Sequence, residues 1–87
     1  MLNLLLYKRR AGVVEAVQFT RPDAVSIAEW CGAHIIEDVD RKEFYLKMKD
    51  GGEARIFDYI VKETNGEFKV LYPDSFVALY SSVLPRA

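Results

Sequence analysis

Cysteine is almost missing from this chain: Cys31 stands alone among 87 residues, and His34 is the single histidine. One thiol cannot close an internal disulfide, so a secreted, cross-linked scaffold is excluded and a reducing compartment is expected. The same scarcity excludes a cysteine/histidine zinc site built within one chain, because nothing completes the tetrahedron that Cys31 and His34 would begin. Neither sign of charge dominates. Twelve basic and thirteen acidic side chains leave a formal net charge of −1, without the basic face that nucleic-acid binding requires. Long apolar runs are also lacking. The opening Met1-Leu2-Asn3-Leu4-Leu5-Leu6 is too short to span a bilayer, and its basic residues follow it rather than precede it as in a signal peptide. The expectation is a soluble intracellular protein with no membrane partner.

What is present is apolar and aromatic: 51% of residues are hydrophobic and 13% aromatic, well above a disordered composition. The length suits one domain, 1–87, since two would starve each other of core. A chain this size buries about 60% of its unfolded surface. Its core alone then supplies about 3–5 kcal/mol, which leaves a homodimer open as a source of further stability.

Periodicity predicts an α+β fold: a mainly antiparallel sheet of about five to six strands, one short helix over about 22–31 on one face, and a short C-terminal helical turn over about 73–80. Tyr7–Arg10 begins a first strand, broken or bent at Ala11-Gly12. In Val13–Phe19 neither face is polar, which predicts an interior strand. Thr20 and Asp23 have the spacing of a capping box, although Pro22 disfavours the helical conformation at Arg21 and delays the first turn. Ala24, Ile27, Ala28 and Cys31 then share a helical face, Trp30 lies on its flank, and Gly32 supplies a left-handed stop.

Residues 33–37 form the next strand candidate. Phe44, Leu46 and Met48 alternate with Tyr45, Lys47 and Lys49. Asp50-Gly51-Gly52 closes a hairpin that returns through Ala54 and Ile56, and Asn65-Gly66 closes another between Tyr59–Lys62 and Glu67–Leu71. A two-residue loop there sets Val61 against Val70 and Lys62 against Lys69. Phe68, Val70 and Tyr72 would then share the core face with Val61 and Tyr59, and the two lysines would share a wet face. From Pro73, the apolar positions Phe76, Leu79 and Tyr80 have helical spacing.

Chemistry is sparse. Cys31 and His34 are three residues apart, but a buried structural thiol and a half-exposed imidazole account for them more simply than a catalytic pair. The acidic turns at 38–40 and 50–53 lack the alternate ligand spacing of a calcium loop and are ordinary turn formers. Gly51-Gly52 is not followed by the lysine-bearing helix of a phosphate loop. Lys8-Arg9-Arg10 suits a solvated strand edge better than a phosphate site. Tyr45, Lys47 and Lys49 have a weak likeness to a single-strand stacking platform, and Trp30 suits either core or interface. No catalytic, metal or cofactor residue is assigned. The residues that remain for a ligand or partner are Trp30, Tyr45, Lys47, Lys62 and Lys69.

The ordered blocks Val13-Val14-Glu15-Ala16-Val17-Gln18-Phe19-Thr20, Ile27-Ala28-Glu29-Trp30-Cys31-Gly32, Asp58-Tyr59-Ile60-Val61-Lys62, Gly66-Glu67-Phe68 and Pro73-Asp74-Ser75-Phe76-Val77-Ala78-Leu79-Tyr80 cover nearly the whole chain. In these blocks it resembles a widespread set of small uncharacterised proteins of tailed bacteriophages and prophages. It departs where that pattern has Pro-Gly, here Ile56-Phe57, and Gly, here Glu63. The first departure implies loss of a left-handed turn near residue 57, with the strand from Glu53 running on. The resemblance implies a phage-encoded, non-structural protein in the host bacterial cytoplasm, and no active site comes with it. The functional expectation is a non-catalytic accessory module that binds a host protein by an aromatic face or a sheet edge. The alternatives are a binder that sequesters a nucleotide signal, with Tyr45, Lys47, Lys62 and Lys69 supplying stacking and charge, and a weak nucleic-acid binder.

Overall fold

A computed structural model describes residues 5–9, 12–79 and 81–82, with side chains over 14–79. The chain runs β1 (Leu5–Arg9), β2 (Gly12–Gln18), α1 (Ala24–Cys31), β3 (His34–Asp38), β4 (Glu43–Lys47), β5 (Glu53–Arg55), β6 (Tyr59–Lys62), β7 (Phe68–Leu71), α2 (Pro73–Leu79) and β8 (Ser81–Ser82). The fold is α+β, as the periodicity predicts. Its strands are divided between a five-stranded sheet, ordered β7-β6-β2-β1-β8, and a three-stranded sheet, β3-β4-β5. All recorded strand pairs are antiparallel. The expected first strand is one arm of a hairpin, with Arg9 opposite Gly12. Ala11, the side chains of Lys8-Arg9-Arg10, Tyr80 and the tail from Val83 lie outside the described residues.

The valine-rich β2 is interior, flanked by β1 and β6, because both its faces are apolar enough to bury. On one face Val17, with Ile60, Phe68 and Val70, packs against α1 and the small sheet. There Phe19, Ile27, Leu46 and Ala54 are fully enclosed. On the other face Val14, Ala16 and Val61 receive Phe76 from α2, whose ring stacks on Tyr59 at 3.8 Å. The domain thus has a core on each side of one sheet.

Helix α1 buries Ala24, Ile27, Ala28 and Cys31 and ends at a left-handed Gly32, as expected. Its start differs. Asp23 is the N-cap and makes no side-chain capping bond. The Thr20 hydroxyl instead donates to the Asp23 carboxylate at 3.4 Å. Pro22 holds the chain out of the helix for one more turn, which leaves Thr20 beyond reach of the first helical N–H groups.

The hairpin at Asn65-Gly66 corrects the expected register. Lys62 faces Phe68 and Val61 faces Lys69. The loop has three residues, Thr64-Asn65-Gly66: the Gly66 N–H bonds to the Glu63 carbonyl and the Glu63 N–H to the Glu67 carbonyl. Gly66 at φ +88° supplies the left-handed position of the resulting bulge. One added residue moves every following side chain to the opposite face. Phe68 and Val70 therefore join Ile60 in the core on the α1 side, Val61 and Tyr59 join Leu71 in the core beneath α2, and Tyr72 is 74% exposed. Lys62 and Lys69 do not share a face. The Asp50-Gly51 hairpin repeats the same bond pattern, Gly51 N–H to Met48 and Met48 N–H to Gly52.

The expected loss of a left-handed turn at 57 is also overturned. Phe57 adopts φ +78° within a turn closed by the Asp58 N–H on the Arg55 carbonyl, so β5 stops at Arg55. Two features hold the turn without a glycine. The buried Asp58 carboxylate accepts the Arg55 N–H at 2.9 Å. The Phe57 N–H and the Asp58 carbonyl both bond to the Phe19 backbone.

Candidate functional site

The five residues singled out from the sequence do not converge. Tyr45 and Lys47 lie on the outer face of the small sheet, where the chain has already occupied them. The Arg55 guanidinium covers the Tyr45 ring at 4.3 Å and bonds Glu43 and Glu53 at 2.8 Å each, and Lys47 pairs with Glu53 at 3.6 Å. The Glu43 bond raises the Arg55 pKa further above its ordinary value. This surface is charge-neutralised, and its aromatic platform is covered. Lys62 stands opposite Glu15 and Phe68 on the α1 side of the large sheet. Lys69 is on the other side, paired with Glu63 at 3.3 Å. Trp30 is half-buried, edge-on to Phe68 at 4.9 Å, which makes it chiefly a packing residue.

Cys31 and His34 do not form a pair either. His34 is exposed on β3, while Cys31 is buried, and desolvation pushes its thiol above the ordinary value of 9.0. A protonated, enclosed thiol is a poor nucleophile. Among the described residues no group of three or more histidine, cysteine or acidic side chains is placed to hold a metal, and no helix is long and apolar enough to cross a membrane.

The structure instead brings together two strand edges. β5 is the edge of the small sheet and β7 of the large one. Between them runs a groove of about 580 Å³, lined along the whole of β7 from Glu67 to Tyr72 and walled opposite by Met48, Asp50, Gly52 and Glu53. It adjoins a second space of about 330 Å³ under the two loops, floored by Cys31, Met48 and Phe68. Bonded and non-bonded pairs alternate along an antiparallel ladder. Since Glu63 is bonded to Glu67, the next bonded pairs are Val61–Lys69 and Tyr59–Leu71. Phe68 and Val70 therefore direct their N–H and C=O groups away from β6, into the groove. By the same count from the Met48–Gly52 bond, Glu53 turns its backbone groups outward from β4. Among the described residues, no recorded hydrogen bond reaches the backbone of Phe68 or Val70 from the groove side.

Sequence reasoning missed this groove because it depends on how two hairpins approach in space. Its one local signal was the pair of Asp-Gly and Asn-Gly turns, which put Asp50 and Glu67 beside the two loop tips. Compared with known proteins, the chain matches no family model, no curated protein and no solved structure.

Proposed function

We propose that this chain is a non-catalytic binding module that engages a partner protein through the groove between the edges of β5 and β7. The observation that carries the reading is that groove, into which Phe68 and Val70 aim backbone donors and acceptors. Outward backbone groups beside apolar side chains support recognition by a few hydrogen bonds around an apolar contact. The buried Cys31 and the exposed His34 support a role without covalent chemistry. The setting we propose, a phage-encoded accessory protein acting on a host protein in the bacterial cytoplasm, rests on the resemblance of the Val13–Thr20, Ile27–Gly32 and Pro73–Tyr80 blocks.

The test is capture from bacterial lysate by the immobilised full-length chain at physiological salt. A specific, saturable host partner is the expected result, and the reading fails if nothing is retained above an unrelated protein of similar charge. The nucleotide-sequestering alternative drew on Tyr45, Lys47, Lys62 and Lys69, which lie on three separate surfaces. Calorimetry against a nucleotide panel should accordingly give flat titrations.

A further inference from the structure

Away from the groove, the small sheet ends in a second edge. Strand β3 pairs with β4 on one side and, among the described residues, with no strand on the other. By the same count from the Met48–Gly52 bond, Lys47, Tyr45 and Glu43 turn their backbone groups toward β3. They meet His34, Ile36 and Asp38, so Ile35 and Glu37 direct their N–H and C=O groups away from the sheet. Among the described residues no recorded hydrogen bond meets the backbone of Ile35 or Glu37 from that side, and no residue of β3 is buried. The usual protections of an edge, namely proline, lysine or a bulge, are missing from the strand. Its one inward charge is drawn aside. The Glu37 carboxylate lies 4.0 Å from Arg21, whose guanidinium sits over the Phe44 ring of β4 and so away from the open edge.

We infer that β3 pairs with β3 of a second copy of this chain, antiparallel about a two-fold axis at Ile36. That axis sets Ile35 of one copy opposite Glu37 of the other, so the outward backbone groups of both strands find partners. Moving it to Glu37 opposes two carboxylates directly. Moving it to Ile35 sets Glu37 opposite Ala33, whose N–H already bonds to the Ala28 carbonyl. Shifting by half a step opposes outward residues with inward ones and makes no ladder. Side chains directly opposed share a face. Ile36 then packs on Ile36, and at each end the His34 imidazole meets the Asp38 carboxylate of the other copy. Asp38 accepts the Arg41 N–H at 3.1 Å and keeps acceptor capacity for a second donor.

A formal net charge of −1 per chain puts little repulsion between copies. The pairing consumes the edge on both chains, so it closes at two. Because β3 and β5 are opposite edges of the small sheet, each copy keeps its groove between β5 and β7, and the dimer carries two.

The test is sedimentation of the full-length chain from micromolar to millimolar concentration, with amide exchange followed by nuclear magnetic resonance. A contact along one short strand is small among specific interfaces, so the mass should rise from one chain toward two within that range. The Ile35 and Glu37 amides should then exchange several-fold more slowly, whereas β4 protects those of His34, Ile36 and Asp38 at every concentration. Ile35→Pro removes an outward N–H that β4 does not use and should leave the chain monomeric. His34→Glu opposes two acids at each end and should weaken pairing about tenfold. Asp38→Lys should also weaken it. An equimolar mixture of these two variants should pair again, because the acid introduced on one copy meets the ammonium introduced on the other. His34 is exposed, so the fold should survive its replacement. Should Ile35→Pro misfold, the mixture still decides the question.

A single-chain mass at millimolar concentration overturns the inference, as does a dimer that Ile35→Pro leaves intact. A mixture that pairs no better than its components overturns it too, and so does growth beyond two chains. The absence of any lysate partner removes the binding-module reading and leaves this inference standing.

Discussion

At the scale of the residue, Phe57 and Cys31 carry the clearest consequences. Phe57 holds φ +78° with a side chain 59% exposed, so little packing offsets its backbone strain. A left-handed backbone costs a residue with a Cβ about 1–2 kcal/mol, while glycine loses more entropy on folding. Phe57→Gly should therefore stabilise the protein by about 0.5–1 kcal/mol in urea unfolding, and a loss of stability would show that the ring packs more than its exposure suggests. Cys31 gives a pH dependence. Its folded-state pKa is raised above 9.0 by burial. The neutral thiol therefore contributes stability that is complete at lower pH and is lost as pH rises through the folded value. Cys31→Ala should lower stability near pH 7 yet flatten its decline above pH 9, as read from urea midpoints across that range. Parallel curves for the two proteins would mean that the thiol does not titrate with unfolding.

At the scale of the element, both glycine-tipped hairpins use the same three-residue loop, and this loop sets the register of the strands that line the groove. At Gly66 an added Cβ would meet nothing within 4 Å, so Gly66→Ala isolates backbone strain from crowding. It should cost about 1–2 kcal/mol by denaturant titration. A neutral result would mean that the loop has moved to another turn type, which amide shifts at Phe68 and Val70 would reveal. The Asn-Gly signal located the turn, but residue type alone did not separate a two-residue loop from a three-residue one. That single residue put Lys69 on the face of Val61 and Lys62 on the face of Phe68 and Val70. Helix α1 was legible residue by residue because 3.6-residue spacing and a terminal Gly32 act within one turn of chain.

At the scale of the whole molecule, the large sheet carries a core on each face, and the one away from α1 receives α2, a helix of seven residues. Phe76 is 3% exposed and stacks on Tyr59. Removing a buried phenyl ring costs about 3–5 kcal/mol, comparable with the total stability expected for a domain of this length. Phe76→Ala should leave the chain largely unfolded at 37 °C, by far-UV circular dichroism or by Trp30 fluorescence. A loss below about 1 kcal/mol would show that the core on the α1 side is sufficient alone.

The sequence by itself determined the α+β class, the interior position of Val13–Phe19, the buried face of α1 and the sites of both glycine turns. Each of these follows from periodicity or backbone preference acting over a few residues. Only the tertiary structure decided that the strands form two sheets, that the Lys62 and Lys69 side chains part company, and that Arg55 covers Tyr45. It also decided that the edges of β5 and β7 face each other across a groove. Those outcomes depend on register and on contacts between residues far apart in the chain, such as Asp58 with Phe19 and Arg55 with Glu43. No local pattern encodes them, because a one-residue difference in a loop is nearly neutral locally and decisive for every side chain beyond it.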